Sequence, residues 1–273
     1  MKVSIITATF NSLRTINDCI NSVNNQIYSN IDHLIIDGAS IDNTVKIVNT
    51  IPNRVTNIIS EPDNGIYDAL NKGIKLASGD IIGFLHSDDL LASSQTIQNI
   101  VNAFGVLGSF GNSISENTGM QQRVDVVYGD LVYVDKNNPE KLIRYWKSQP
   151  FKPELLRRGW MPAHPTVFIR REVYEKNGLF DLSFKISADY DFMLRVFSDP
   201  TLRFVYLPEV ITRMRVGGES NKSIRNIIQK SKEDYRAICK NNIPFPAMVL
   251  FIKNISKIPQ FFRTINFKNK ENT

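Results

Sequence analysis

Residues 81–91, IIGFLHSDDLL, decide how the rest of the chain is interpreted. An apolar run of the kind that forms a buried strand ends here in four polar residues, which are His86, Ser87, Asp88 and Asp89. Adjacent carboxylates repel each other and lose hydration on burial, so they need a cation or hydrogen-bond donors nearby. The pattern therefore indicates either a metal or catalytic site at a strand end, or an Asp that caps a helix over residues 95–104.

Earlier segments repeat this plan of a short strand, polar residues and a helix. The predicted strands span residues 3–6, 34–36, 55–59 and 81–85. Strands that alternate with helices predict a doubly wound α/β sheet, mostly parallel, with helices on both faces. Each strand ends in polar residues, at positions 7–11, 37, 61–64 and 86–89. Because ligands bind such sheets at the carboxyl ends of the strands, we expect one cleft rich in carboxylates.

A carboxylate-rich cleft suits a cation with a phosphorylated ligand better than it suits a bare anion. Neither GxGxxG nor GxxxxGK[ST] occurs in the sequence, so a dinucleotide-binding fold and a P-loop NTPase both lose their usual support. A nucleotidyltransferase would carry a basic, glycine-rich loop after the first strand. The stretch TATFNS at residues 7–12 has neither property.

The composition is that of an ordinary globular protein. The chain has 273 residues, of which 42% are hydrophobic, enough for a sizeable core. Its formal net charge is +6, and five basic residues against one acid give +4 to residues 243–273 alone. The remainder is therefore nearly neutral, which argues against a nucleic-acid partner.

Cysteine usage and the N-terminus indicate the compartment. Cys19 and Cys239 are the only cysteines, and both lie in helix-like stretches, so we expect them to be reduced packing residues. The N-terminus lacks a long apolar region with a cleavage site, and no apolar run reaches the roughly 20 residues that span a bilayer. These observations predict a cytoplasmic protein.

The second half is less regular. Residues 105–122 are rich in Gly, Ser and Asn and predict a mobile loop, and residues 126–134 predict one or two strands broken at Gly129. Residues 159–165, GWMPAHP, form a turn-rich segment that holds Trp160 and His164. Residues 213–221, RMRVGGESN, predict a flexible basic loop of the kind that closes over phosphate.

Residues 186–197, ISADYDFMLRVF, carry a second pair of acidic residues. Asp189 and Asp191 fall near the start of a predicted helix, where capping and the helix dipole favour Asp without any catalytic role. The C-terminal segment has apolar residues at helical spacing with Lys and Arg between them. That segment fits either the interface of an anionic membrane or packing against protein.

Taken in order, the motifs resemble the family-2 glycosyltransferases, which have the GT-A fold. The resemblance covers residues 2–220 and rests on VSIITATFN, LIIDGASIDNT, SEPDNGIYDALNKGIKLASGD, IIGFLHSDD, AHPTVFIRREVYEKNGLFD and SADYDFMLR. It implies a GT-A catalytic domain over residues 1–222, followed by a helical, basic amphipathic extension over residues 223–273.

The resemblance also implies a donor site. Its nucleotide-sugar-binding residues would be Thr7, Ala8, Thr9, Asn11, Asp37, Asp63, Lys72, His86, Ser87 and Asp88. Asp37 would face the base, where a carboxylate can accept the N3–H of uracil. Asp88 and Asp89 would hold Mn²⁺ or Mg²⁺, which both prefer oxygen ligands. His86 departs from the acidic residue or Asn that is usual at its position.

On the acceptor side, Asp189 matches the catalytic base of the family, and the preceding position, usually Glu, is Ala188. Trp160, His164 and Asp191 would contact the acceptor. A single base that removes the proton of the acceptor hydroxyl implies direct displacement with inversion. We therefore expect an inverting, metal-assisted glycosyltransferase that uses a nucleotide-sugar, with UDP-sugar as the preferred donor.

The acceptor would be a lipid-linked or growing glycan, and the tail would place the protein at the inner face of the plasma membrane. The sequence allows a homo-oligomer without predicting one. Two alternatives stay open at this point. One is a nucleotidyltransferase, and the other is a non-catalytic nucleotide-sugar-binding or scaffold subunit, suggested by His86 and Ala188.

Overall fold

The structure is a computed structural model that describes residues 1–105, 123–217 and 224–256. Within these ranges a mixed sheet forms the centre. Its strands are β1 (Val3–Thr9), β2 (Ile31–Asp37), β3 (Val55–Ser60), β4 (Ile81–Phe84), β5 (Leu90–Leu91), β6 (Val126–Val134), β7 (Leu142–Trp146), β8 (Val167–Arg170) and β9 (Phe204–Arg215). The helices are α1 (Ile16–Asn24), α2 (Thr44–Thr50), α3 (Ile66–Leu76), α4 (Thr96–Gly105), α5 (Arg171–Asn177), α6 (Ala188–Phe197), α7 (Ile224–Lys240) and α8 (Pro246–Ile255). Pro153–Arg158 and His164–Thr166 are short 3-10 helices.

The N-terminal half confirms the predicted doubly wound sheet. Strands β3, β2, β1 and β4 lie in that order and are all parallel. Successive residues of β1 point to opposite faces, so Ile6 packs with Leu70 of α3 while Ile5 packs with Cys19 of α1 and Ile97 of α4. Helices therefore cover both faces. β1 is longer than predicted and includes Thr7, Ala8 and Thr9.

The second half extends the sheet with strands of mixed direction. β8 runs antiparallel to β4, β6 runs antiparallel to β8, and β9 runs parallel to β6. The predicted break at Gly129 is wrong, because β6 is continuous there, although its pairing with β9 shifts register. The basic loop predicted at residues 213–221 is wrong at its start, since Arg213 and Arg215 belong to β9.

Some predictions lie outside the described residues. They concern the mobile loop after Gly105, the end of the basic loop and the tail beyond residue 256. The domain boundary predicted at residues 222 and 223 lies outside the described residues and stays a prediction. In the part of the chain that is described, no helix is both long enough and apolar enough to cross a membrane.

The C-terminal helices pack on the sheet domain through α6. Helix α7 contacts α6, and α8 contacts both α7 and the 3-10 helix Pro153–Arg158. Lys253 of α8 is only 3% exposed, its amine lies 2.8 Å from Asp234 of α7, and it sits over the ring of Tyr190 in α6. A lysine this deeply buried needs such an anionic partner, so α8 is held by a specific contact as well as by apolar packing.

Two glycines allow close approach to the sheet. A Cβ on Gly73 of α3 would lie 2.4 Å from Ile6 of β1, and a Cβ on Gly83 of β4 would lie 2.2 Å from the ring of Phe168 in β8. Both distances are below any contact that carbon atoms tolerate. These positions are therefore glycine because the packing of α3 on β1, and of Phe168 across β4, leaves no room for a side chain.

We expect Gly83→Ala to lower the free energy of unfolding by about 1–3 kcal/mol, because the added methyl group must displace the Phe168 ring. Urea denaturation measures the effect. The control is Gly105→Ala at the end of α4, where no atom of the described residues lies within 4 Å of the new Cβ. Equal stability of the two variants would contradict the packing argument.

Candidate active site

The carboxyl ends of β1, β2 and β4 meet at one edge of the sheet. The register pairs Thr9 of β1 with Asp37 of β2, and Ile6 of β1 with Phe84 of β4. The segment with His86 and Asp88 therefore leaves the sheet beside the end of β1. The polar strand ends that the sequence analysis grouped together do lie at one edge.

Thr7 is a correction to the predicted donor site. Its side chain is fully buried, with the hydroxyl 3.1 Å from Nε2 of His33 and 3.9 Å from Sγ of Cys19. Because side chains alternate along a strand, the hydroxyl of Thr7 points to the face covered by α1 rather than into the cleft. Ala8 and Thr9 are also buried, at 7% and 5% exposed, so they can meet a ligand mainly through the backbone.

Asp37 is also corrected, because its carboxylate is fully buried. Oδ2 accepts hydrogen bonds from the Ser40 amide at 2.9 Å and from the Ser60 hydroxyl at 2.6 Å, and Oδ1 accepts from the Ser40 hydroxyl. The predicted contact between Asp37 and the nucleobase of the donor would need an exposed carboxylate oxygen. Asp37 instead holds the loop after β2 against the end of β3.

Asn11 and the loop after β2 are joined by two hydrogen bonds, one in each direction. Asn11 has a positive φ of 49° and is exposed, its amide donates to the Ser40 hydroxyl at 2.8 Å, and its Oδ1 accepts from the Ile41 amide at 3.0 Å. Asn tolerates this left-handed conformation better than most residues. The loop after β1 and the loop after β2 therefore form one rigid rim.

Asp63 lies against this rim because residue 38 is glycine. Its Oδ2 is 2.6 Å from the place where a Cβ on Gly38 would lie, and its Oδ1 accepts from the Gly65 amide at 2.8 Å. Lys72 of α3 lies nearby, with its amine 2.8 Å from Glu61, and this contact raises the pKa of the lysine. Asp63 is only half-buried, so a ligand can reach its carboxylate.

The segment after β4 separates its two carboxylates. Asp88 is exposed, whereas Asp89 is 1% exposed and both of its oxygens are buried without a hydrogen-bond partner among the described residues. Burial and the charge of Asp88 raise the pKa of Asp89, and the nearby Arg215 opposes this. Of the two predicted metal ligands, Asp88 is therefore the one at the surface, and the role of Asp89 stays a prediction.

Arg215 binds the backbone of the exposed Asp88. Its Nη1 donates to the backbone carbonyl of Asp88 at 2.9 Å, and its Nη2 pairs with Asp18 of α1. The Arg215 side chain is 5% exposed, whereas the Asp18 side chain is 44% exposed, so water competes for the ion pair from the Asp18 side. Ser87, also buried, shares a 2.8 Å hydrogen bond with Ser12 and so joins the segment to the loop after β1.

Asp189 approaches from the other side of the cleft, on the first turn of α6. The hydroxyl of Tyr67 in α3 lies 3.1 Å from its Oδ1 and 2.7 Å from the backbone carbonyl of Ile186. Burial raises the pKa of Tyr67 well above its usual value, and Asp189 raises it further. Tyr67 therefore stays protonated, and its single hydroxyl hydrogen is shared between the Ile186 carbonyl and the Asp189 carboxylate.

Asp191 is a correction to the predicted acceptor site. It is fully buried and bound on all sides, by Arg195 at 3.2 Å, Lys240 at 3.1 Å and Asn241 at 3.0 Å. Two cations and an amide offset the cost of burying this charge. Asp191 therefore fastens α6 to the end of α7, and an acceptor cannot reach it.

Two histidines lie between Asp88 and Asp189. The rings of His86 and His164 are 6.2 Å apart, and both carboxylates influence the pKa of His86. Burial lowers the pKa of His86, and it lowers the pKa of His164 to about 4, so both rings are neutral at physiological pH. Nδ1 of His86 and Nε2 of His164 are buried without a partner in the described part of the chain.

Trp160 is half-buried in a cluster with Tyr128, Phe151 and Phe197. The structure thus places Asp88, Asp189 and His164 all close to His86. Sequence reasoning did not identify Tyr67 and Arg215 as partners of this site. No local pattern indicates them, because each acts on a residue more than 100 positions away in the chain.

The side chains near Asp88 limit how a metal ion could be held. Among the described residues, no group of three or more His, Cys, Asp or Glu side chains could hold a metal ion. Mg²⁺ and similar ions are often held by one or two carboxylates together with substrate phosphates. The exposed Asp88 fits that type of site, in which a diphosphate supplies the other oxygen ligands.

Residues 4–112 match the sequence profile described as Glycosyl transferase family 2. A PGL/p-HBAD biosynthesis glycosyltransferase of Mycobacterium tuberculosis is 30% identical over 222 residues, which cover 80% of this chain and 78% of the relative. An uncharacterized glycosyltransferase of the same species is 33% identical over 198 residues, which cover 71% of this chain and 68% of that protein.

Two solved structures are similar in fold. Staphylococcus aureus TarS 1-349 in complex with UDP has a TM-score of 0.65 and 18% identity, covering 98% of this chain and 74% of that chain. The mannosyltransferase PcManGT from Pyrobaculum calidifontis, in complex with GDP-Man and Mn²⁺, has a TM-score of 0.62 and 18% identity, covering 95% and 70%. These likenesses confirm the predicted GT-A fold.

The buried His33 beneath the cleft predicts a pH dependence of stability. Burial lowers its pKa to about 4, whereas an unfolded histidine titrates near 6.5. Between these values the unfolded chain binds a proton that the folded protein does not, so the free energy of unfolding falls as the pH falls. Between pH 7 and pH 5, we expect the free energy of unfolding to fall by about 1–2 kcal/mol less in His33→Gln than in the wild type.

Urea denaturation at each pH measures this difference. Thr7→Val is the matched control, because it removes the hydroxyl beside His33 and keeps the imidazole. It should keep the pH dependence of the wild type even if it is less stable. Parallel pH curves for His33→Gln and the wild type would show that His33 does not cause the effect.

Proposed function

Because the chain belongs to glycosyl transferase family 2, we propose that it transfers a sugar from a UDP-sugar to a hydroxyl of a glycan or lipid-linked acceptor, with inversion. That it is a glycosyltransferase rather than a nucleotidyltransferase or a scaffold follows from its relatives. The donor, the acceptor and the stereochemistry are the proposal. The observation that carries it is that Asp88 and Asp189, the latter in contact with Tyr67, both lie close to His86.

The donor nucleotide would bind along the rim formed by the loops after β1, β2 and β3. Asp63 is a half-buried carboxylate there and can accept the N3–H of uracil, the contact expected of Asp37. Asn11 and the backbone of Ala8 and Thr9 would border the nucleoside. Lys72 carries the positive charge on this side, and it would have to exchange its contact with Glu61 for one with the diphosphate.

Asp88 would hold Mg²⁺ or Mn²⁺ together with the donor diphosphate. When bound, such a cation neutralises the charge that develops on the leaving diphosphate. The protein contributes a fixed position for Asp88, through the hydrogen bond from Arg215 to its carbonyl. Ser87 contributes through its contact with Ser12, which couples the segment to the nucleotide rim.

Asp189 would act as the base that takes the proton from the acceptor hydroxyl. A carboxylate in this role contributes about 10²–10⁴ to the rate. The hydrogen bond from Tyr67 to Oδ1 fixes the carboxylate and leaves Oδ2 for the acceptor. One base opposite the leaving group corresponds to a single displacement, which inverts the anomeric centre. Neutral His86 and His164 would line the space for the sugar, and Trp160 would border the acceptor.

We also propose that α8 rests on an anionic lipid surface. Its exposed side carries large apolar groups, with Met248 52%, Phe251 65% and Ile255 46% exposed. The exposed Arg157 and Arg158 belong to the 3-10 helix that packs on α8, next to Gly159, which approaches Val249 and Lys253. Apolar side chains bordered by arginine suit the headgroup region of anionic lipid, where a lipid-linked acceptor would also lie.

The first test separates Asp88 from Asp189. We expect Asp189→Asn to lower kcat by about 10²–10⁴ while UDP binding stays unchanged, because the base acts only on the acceptor. Asp88→Asn should instead abolish the increase in UDP affinity caused by Mn²⁺. Calorimetry with UDP, with and without Mn²⁺, and turnover with a panel of UDP-sugars provide the readouts. Undiminished turnover of Asp189→Asn would refute the proposed base.

The second test concerns the lipid surface. We expect the double variant Met248→Asp/Phe251→Asp to bind phosphatidylglycerol vesicles at least about tenfold more weakly, since burying each side chain contributes about 1.5–3 kcal/mol. The matched control is Leu142→Asp/Ile143→Asp on β7, where the side chains are 43% and 42% exposed. Vesicle flotation measures both. Equal flotation of the two double variants would contradict a membrane role for α8.

A further inference from the structure

Glu233 of α7 has three backbone partners in the segment before α6. Its Oε1 accepts from the Lys185 amide at 3.1 Å, and its Oε2 accepts from the amides of Ile186 and Ser187 at 2.8 and 3.0 Å. The side chain is 4% exposed. Hydrogen bonds from backbone amides to a buried carboxylate are among the stronger ones in proteins, because the acceptor is charged.

These three amides precede the residue proposed as the base by only a few positions. Ser187 is the N-cap of α6, but its side chain makes no capping hydrogen bond, so the helix start is not fixed by its own sequence. The negative charge of Glu233 lies near this helix start, where the helix dipole favours it. The carboxylate of Glu233, which belongs to α7, therefore replaces the local side-chain cap at the start of α6.

The same segment is fixed from the opposite side by Tyr67. Its hydroxyl contacts the carbonyl of Ile186, whose amide is bound by Glu233. The peptide groups on both sides of Ile186 are thus held between α3 and α7. Since Tyr67 also contacts Oδ1 of Asp189, one side chain contacts both the backbone at Ile186 and the carboxylate of Asp189.

Glu233 is itself held in place. The side chain of Gln229, one turn earlier in α7, donates to Oε1 at 2.8 Å. At the other end of α7, Lys240 and Asn241 bind Asp191, which lies in α6 just after Asp189. Contacts from α7 and its C-terminal end therefore hold the chain on both sides of the proposed base, at residues 185–187 before it and at Asp191 after it.

We infer that Glu233 is a positioning residue for glycosyl transfer, acting by holding residues 185–187 so that the carboxylate of Asp189 stays aimed into the cleft. This inference rests on the proposed role of Asp189 as the base. It also makes helix α7 a functional part of the catalytic unit.

Glu233→Gln keeps the size of the side chain but turns an –NH₂ group toward at least one backbone amide. We expect kcat to fall about 10- to 100-fold, because a displacement of about 1 Å at the reacting group has an effect of that size. The KM for the UDP-sugar should stay within about twofold, since no donor contact changes. Hydrogen exchange at residues 185–187 should become at least about tenfold faster, with the exchange of β1 and β4 unchanged.

Two further variants guard against a simple loss of folding. Glu233→Asp keeps the charge and shortens the side chain, so it should fold and show a smaller fall in kcat. Asp181→Asn is the matched control, because Asp181 also joins α7 to the segment before α6, through Lys240 at 2.7 Å, but does not touch residues 185–187. Its kcat should stay within about twofold of the wild type.

A double variant separates positioning from general support. If Glu233 acts through Asp189, Glu233→Gln should reduce the residual rate of Asp189→Asn by less than about twofold, because coupled residues are not additive. The same fractional loss in both backgrounds, or unchanged exchange at residues 185–187, would overturn the role of Glu233 alone. Full turnover of Asp189→Asn would instead overturn the base assignment, and the exchange result would still report whether Glu233 holds the segment.

Discussion

The register between β1 and its two parallel neighbours is the constraint on which the site depends. Thr9 is paired with Asp37 on one side, and Ile6 with Phe84 on the other, so the polar segments that follow all emerge at the same edge. A slip of one residue would turn the Ile5 and Ile6 side chains to the wrong faces, and both faces of this sheet are covered. Apolar packing on two faces therefore fixes where the polar residues lie.

The buried carboxylates show how that edge is kept in shape. Asp37 is satisfied by two serines, Asp191 by two cations and an amide, and Glu233 by three backbone amides and a glutamine. Each stands where loops or helices from separate parts of the chain meet. Because an unpaired buried charge is costly, each of these acids makes its own local arrangement strongly preferred over alternatives. Asp63, Asp88 and Asp189, which are exposed or only half-buried, lie outside these three networks.

The C-terminal helices belong to the same physical unit as the cleft. Helix α7 contacts α6 through both Glu233 and the residues that bind Asp191, and α8 is joined to α7 by the buried pair of Lys253 and Asp234. The exposed apolar face of α8 is thus connected, through a few specific contacts, to the helix that carries Asp189. A surface that binds α8 would consequently hold the base side of the cleft in a defined orientation.

The sequence by itself determined the alternation of strands and helices in the first 90 residues, the edge at which the polar residues gather, and the presence of a helix after Asp189. Local periodicity and turn chemistry suffice for these features, since they concern neighbours in the chain. Only the tertiary structure decided that Thr7 and Asp89 point inward, that Asp37 and Asp191 are covered, and that Tyr67, Arg215 and Glu233 support the site. Whether a carboxylate faces the cleft or the core depends on donors supplied by distant elements, and no local pattern in the chain encodes those partners.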